Sequence, residues 1–287
     1  MKIIIYFIIA LLVTSCNSNS TSPIIDNPNA ISVGNPQLIT ENGFIPKWSP
    51  VENSIAFTSE VDGENRVLVW NSETNSTQTL VSGFEGDVSF NWSPDGTAIV
   101  FDAFQGIHNH QIWTYNINTS EYRQITNYTD QVFHPDWLKN GNNILAMSRQ
   151  NFYKVDITDE TMEKIGDTSI NGWHPSANWD CTQFAFTSDK DGNNNIYIAN
   201  IDGTDLTQIT HYVGDDDRAR WSPAGSELVF ESDRDGVLNV WLYSLLTRSF
   251  TQITTDGGRM PDWSNNEQNI VYMNNWNIFT IKIYRAY

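Results

Sequence analysis

The sequence predicts an all-β fold, a six-bladed β-propeller of four-stranded antiparallel blades, on three observations. A tryptophan-anchored phrase recurs, as "NWSPDGTAIVF" at 91–101 and "RWSPAGSELVF" at 220–230. Its copies stand about 40–45 residues apart, the spacing of propeller blades. Between copies, short runs of period-two residues alternate with turn signals.

The anchors set the count of blades. Trp48, Trp92, Trp137, Trp221 and Trp263 are each followed nine residues later by an aromatic or apolar residue. The gaps between them are 44, 45, 84 and 42. The gap of 84 spans nearly two periods, and "HPSANWDCTQFAF" supplies the copy inside it, with Ala177 at the Trp position.

Within a copy, strand one ends at the anchor. "SPDG" then makes a tight turn, because Pro presets φ and Gly accepts positive φ. "TAIVF" or "SIAF" alternates as a packed second strand should. Asp62-Gly63, Asp191-Gly192 and Asp235-Gly236 mark the next turn, a hairpin signal. "RVLVW", "QIWTY", "NIYIA" and "NVWLY" read as third strands. Fourth strands end in "QTLV", "RQIT", "EKIG" and, twice, "TQIT", which is five for six blades. The sixth, "PQLIT", stands at 36–40, so the N-terminal strand is expected to complete the last blade and close the ring.

The N-terminus reads separately. Lys2 and the apolar run Ile3–Val13 form the core of a secretory signal, too short for a stable membrane span. "VTSC" is similar to the bacterial lipobox, in which cleavage precedes the cysteine and lipid joins its sulfur. Cys16 is therefore expected to carry lipid after removal of residues 1–15. Residues 16–35, rich in Asn, Ser and Pro, read as a flexible tether, and 36–287 as the propeller. With Cys16 lipidated, Cys181 has no disulfide partner and is expected to be a small, buried or half-buried residue. Asn17 is not an acidic retention signal, which points to the outer membrane.

Composition excludes one class. The 287 residues carry a net charge of −18, and a surface lacking clustered Lys and Arg repels nucleic acid and anionic headgroups. Contact with the membrane is expected through the lipid alone.

The repeats "WSPDGTAIVF", "FTSDKDGNNNIYIANIDGTDLTQIT" and "WSPAGSELVFESDRDGVLNVW" resemble the TolB-like propeller repeat over roughly residues 36–287. The resemblance implies a six-bladed propeller and leaves the function open. The N-terminal domain that the family's namesake carries is not expected among the residues before 36. Peptidase relatives carry a hydrolase domain with a Gly-x-Ser-x-Gly elbow, and no such motif is present.

The repeat also sorts residues by face. The turn between strands one and two lies on one face; the second turn and the blade links lie on the other. All five histidines sort to the link face. His134, His174 and Arg218 stand three residues before consecutive anchors, where the other blades have Ile45, Ser89 and Met260. With Trp173, His211 and Arg259 they form the candidate binding face, suited to a carboxylate or an anionic sugar. A histidine metal site with Asp215 or Asp217 is a sharper alternative, but His134 and His174 are one blade period apart, not a local ligand pair. "SDKDGNNNIY" at 188–197 departs from a calcium loop, with Gly fourth and Asn200 twelfth, and reads as a hairpin turn. No catalytic residue and no cofactor is expected.

The expected function is a lipid-anchored, non-catalytic scaffold of the bacterial envelope. It would act as a monomer and bind a protein, a peptide or an envelope glycan. The alternatives are a metal-assisted lyase or hydrolase acting on an acidic oligosaccharide, and a subunit of a Tol-like envelope complex.

Overall fold

The computed structural model describes residues 31–84, 88–104, 109–167 and 170–285. Cys16, Asn17, most of the tether and His108 lie outside these residues.

Six antiparallel sheets follow one another in sequence order. Their innermost strands are Phe44–Trp48, Phe90–Trp92, Phe133–Trp137, Trp173–Ala177, Asp216–Trp221 and Arg259–Trp263. Each ends at an anchor of the repeat, and each packs against the next around a closed ring. This is the six-bladed propeller expected.

The ring closes as the repeat count requires. Gln37–Thr40 pairs antiparallel with Asn277–Arg285 of the last blade, with Leu38 opposite Phe279. The pairing also begins earlier than expected. Ile31–Val33, read as the end of the tether, lies against the same strand, with Ile31 opposite Arg285. Asn277–Arg285 is nine residues long and so accommodates both segments.

Six clusters of buried side chains lie one between each pair of neighbouring blades. The alternation in strand two produces this layout. Successive side chains of a strand point to opposite faces, and here both faces meet another blade. Ile55 and Phe57 therefore pack toward blade six, while Ala56 packs toward blade two. Phe184 and Phe186 face blade three, while Ala185 faces blade five. Every anchor packs into the seam with the preceding blade. Trp92 and Trp221 also donate from Nε1 to carbonyls there, Lys47 at 3.3 Å and Ser176 at 3.1 Å. Each buried Val, Leu, Ile or Phe contributes about 1.5–3 kcal/mol.

The hairpins that carry Asp-Gly differ in length from one another. Asp62 and Gly63 are both left-handed, with φ of 57° and 80°, in a two-residue turn. Asp191-Gly192 and Asp235-Gly236 instead sit inside loops between strands ending at Ser188 and Ser232 and strands starting at Asn195 and Asn239. The extra length is held by side chains: Asp191 accepts from the Tyr197 hydroxyl at 2.5 Å, and Asp235 from Asn239 at 2.9 Å. Cys181 is half-buried, as expected, and has φ of 59° at the turn position that Gly96, Gly141 and Gly225 fill in other blades.

Candidate functional site: the axial channel

The inner strands surround a channel with two mouths. One is lined by Trp48, Trp92, Trp137, Trp221 and Trp263 and by the turns that follow them, and encloses about 90 Å3. The other opens on the link face and encloses about 60 Å3.

Between them lies a belt of residues one before each anchor: Lys47, Asn91, Asp136, Ser176, Arg220 and Asp262. Arg220 spans the channel, donating to Asp136 at 3.1 Å and to Asp262 at 3.3 Å. Asn91 also donates to Asp136. The second oxygen of each carboxylate accepts a backbone N–H of the next blade, Ala177 at 2.7 Å and Trp48 at 2.9 Å. Each aspartate thus neutralises a cation and fastens a seam. Burial works against the Arg220 charge, but the two carboxylates outweigh it and raise its pKa further.

The link-face mouth owes its shape to one local device. In every blade but the second, the inner strand slips register just before the anchor, a β-bulge. The residue three before the anchor is then left-handed: Ile45, His134, His174, Arg218 and Met260 have φ of 52°, 49°, 54°, 57° and 53°. For an L-residue this costs about 1–2 kcal/mol. A proline follows in four of the five, at 46, 135, 175 and 261. Lacking an N–H, proline suits a place where the ladder is interrupted. The bulges bring Ile45, His134, His174, Arg218 and Met260 to one cavity.

Side chains of the preceding blade hold three of the five bulged amides. Asp102 accepts the N–H of Ser89 at 2.7 Å and that of His134 in the next blade at 3.0 Å. Glu231 accepts the N–H of Met260 in the next blade at 2.8 Å. Thr187 reaches the N–H of Arg218 at 3.3 Å. These residues stand ten after their anchors, in second strands, among otherwise apolar side chains.

His134 and His174 meet with ring centroids 4.4 Å apart. Nδ1 of His174 lies 2.7 Å from Oδ1 of Asp217, which also accepts the Thr187 hydroxyl at 2.6 Å and the Arg218 N–H at 2.7 Å. Burial holds both imidazoles below the usual histidine range, His134 the further, with its neighbours His174 and Arg218 adding to the effect. At neutral pH both rings are uncharged, so His174 donates its Nδ1–H to Asp217. Burial works against ionisation of Asp217, yet His174, Arg218 and Thr187 together hold its carboxyl well below the usual range. Glu231 is pushed the other way by burial and by Asp217.

Of the six residues expected to form the binding face, three converge at the mouth: His134, His174 and Arg218. Arg259 sits at its rim, 48% exposed, with a loose contact of 3.7 Å to Glu231. Trp173 packs into the seam between blades three and four instead. A strand alternates sides, and its neighbour His174 takes the channel side. His211 is exposed in the blade link and does not line the mouth. His110 is also on no binding surface: it is buried between Phe104 and Phe133, at 4.0 and 4.9 Å. Among the described residues no three His, Cys, Asp or Glu side chains converge in a way that could hold a metal ion. The belt residues Lys47, Asp136, Arg220 and Asp262, and the bracing Asp102 and Glu231, were not singled out from sequence. The available signal was a charge recurring at a fixed offset from the anchor.

The comparisons agree with this architecture. Residues 33–177 and 152–286 match the TolB beta propeller domain family, and the protein belongs to that family. Among curated proteins it is similar to the Tol-Pal system protein TolB of Francisella tularensis subsp. mediasiatica. That match is 26% identical over 180 residues, covering 60% of this chain and 39% of that protein. The sequence thus spans well under half the length of the curated relatives it matches. Its fold is similar to that of TolB from Acinetobacter baumannii, with a TM-score of 0.68 at 19% identity, covering 78% of this chain and 57% of that one. An oligogalacturonate lyase from Vibrio parahaemolyticus shares the fold at a TM-score of 0.60 and 12% identity, over 88% of this chain and 98% of that one.

Proposed function

We propose that this propeller is a non-catalytic binding scaffold of the bacterial cell envelope, which receives a protein or peptide at the link-face mouth. One observation carries the reading. Five strained bulges, three of them braced from the preceding blade, deliver Ile45, His134, His174, Arg218 and Met260 to a single opening. Backbone strain of this kind clusters at sites of function. Below the opening, Arg220 bridges Asp136 and Asp262 across the channel. The apolar wall of the opening and its few fixed polar groups suit insertion of one side chain or peptide end.

The name of the curated relatives, Tol-Pal system protein TolB, supports a place beside an envelope complex. Lipid attachment at Cys16, with the propeller held at the outer membrane, completes the proposal. The lyase reading rests on likeness of fold alone, which carries no chemistry.

The test is capture from detergent-solubilised envelope, with bound proteins identified by mass. The wild-type protein is compared with a triple variant, His134→Ala, His174→Ala, Arg218→Ala. A defined protein retained by the first and lost by the second supports the scaffold. Equal retention by both contradicts the assignment of the face.

A further inference from the structure

Lys47 lies on the floor of the link-face cavity, and its ammonium makes no hydrogen bond or ion pair among the described residues. Every carboxylate that could serve it is committed. Asp136 and Asp262 hold Arg220 and the amides of Ala177 and Trp48. Asp217 holds His174, Thr187 and Arg218, and Glu231 holds the amide of Met260. The remaining groups around Lys47 are the cations Arg218 and Arg220 and the imidazole of His174. The Lys47 ammonium thus lines the cavity with no direct partner, its charge favoured by Asp262 and Asp136 at a distance and opposed by Arg220 and Arg218, and it is free to take an acceptor that enters from the mouth.

The cavity narrows the choice. At about 60 Å3 the cavity is small and admits a side-chain or terminal group rather than a bulky ligand. Pro135, Pro175, Pro261, Ile45, Met260 and Phe90 make the wall apolar, which favours an anion on a carbon stem. A phosphate or sulfate carries more charge and more acceptor oxygens than one ammonium can satisfy.

We infer that the Lys47 ammonium receives the carboxylate of a peptide entering the link-face mouth, either the one at the peptide's C-terminus or one borne by an Asp or Glu residue. The inference rests on the proposed reading of that mouth as a peptide site. Its linkage to pH follows from the same surroundings. Burial, with Arg220 beside it, lowers the Lys47 pKa to about 8. A carboxylate bound there stabilises the protonated amine, so its affinity declines as pH rises above that value.

The full-length protein is titrated by calorimetry at constant ionic strength. N-acetylglycylglycine supplies a C-terminal carboxylate, N-acetylaspartate N-methylamide the β-carboxylate of an aspartate, and N-acetylglycinamide an uncharged control. Saturable binding of at least one carboxylate at pH 7 and none of the control is expected, and the stronger carboxylate identifies the source. Lys47→Met should weaken it at least tenfold with its thermal melt retained. In the wild-type protein, affinity should fall about tenfold per pH unit above about 8; this series needs no variant to fold. Absence of saturable carboxylate binding, equal binding by Lys47→Met, or a flat pH series would overturn the inference. The titration contains no partner protein and is read apart from the capture experiment. Undiminished capture of a partner by Lys47→Met would remove the carboxylate receptor and leave the scaffold standing.

Discussion

His174 and Asp217 join blades four and five across the mouth of the channel, Nδ1 to Oδ1 at 2.7 Å. Asp217 serves at the same time the Thr187 hydroxyl of blade four and the Arg218 amide of blade five. One carboxylate therefore fixes a seam, a bulge and the orientation of an imidazole.

Replacing Asp217 by Ala leaves three donors without their acceptor. Loss of charge-assisted hydrogen bonds at such a site costs about 2–3 kcal/mol. The urea midpoint should fall accordingly. Asp217→Asn, which keeps an acceptor, should lose less.

The histidine pair should make the fold sensitive to mild acid. His134 and His174 are held below the ordinary value of 6.5 in the folded protein. As pH falls below 6.5 the unfolded state takes up protons that the folded state refuses, so stability declines. The contribution of Asp217, whose carboxyl is depressed, persists until pH drops below its ordinary 3.8. Melting temperature should therefore fall as pH drops below about 6.5. His134→Asn, which tolerates positive φ and does not titrate, should flatten the decline.

Two glycines separate conformational strain from steric conflict. Gly225 has φ of 70° with open space where a Cβ would stand. Gly225→Ala should cost about 1–2 kcal/mol, from backbone strain alone. Gly96 has φ of 69°, and its Cβ would lie 2.4 Å from Cγ2 of Val51 in blade one. Gly96→Ala should cost more, and adding Val51→Ala should recover the difference in chemical denaturation.

A truncated form beginning at Glu41 lacks both segments that pair with Asn277–Arg285. That strand becomes an exposed, unpaired edge. The shortened protein should melt lower and self-associate in size-exclusion chromatography, whereas the full-length protein elutes as a single species.

The sequence carried the ring in full because its determinants are local and repeated. Trp anchors, turn residues and period-two strands recur in each blade, and "PQLIT" balanced the missing last strand. The candidate site was legible only in part. His134, His174 and Arg218 could be found because the repeat placed them at one position. Asp102 and Glu231 accept backbone amides of the next blade, and Lys47 faces the cavity without a direct partner among the described residues, so no local pattern declares their roles. Trp173 and His211 were assigned by proximity in sequence, which a strand's alternation and the outward course of a blade link both defeat. The bulges could not be read at all, since nothing in "FHPDW" marks His134 as left-handed rather than extended.

The most direct test of the binding face uses a photoreactive benzoylphenylalanine in growing cells, at Arg259 on the link-face rim or at Trp179 on the opposite mouth. Both are well exposed, at 48% and 45%. An adduct of defined mass at position 259, absent at 179, is the expected result. An adduct at 179 with none at 259 would contradict the account and move the binding surface to the tryptophan-lined mouth.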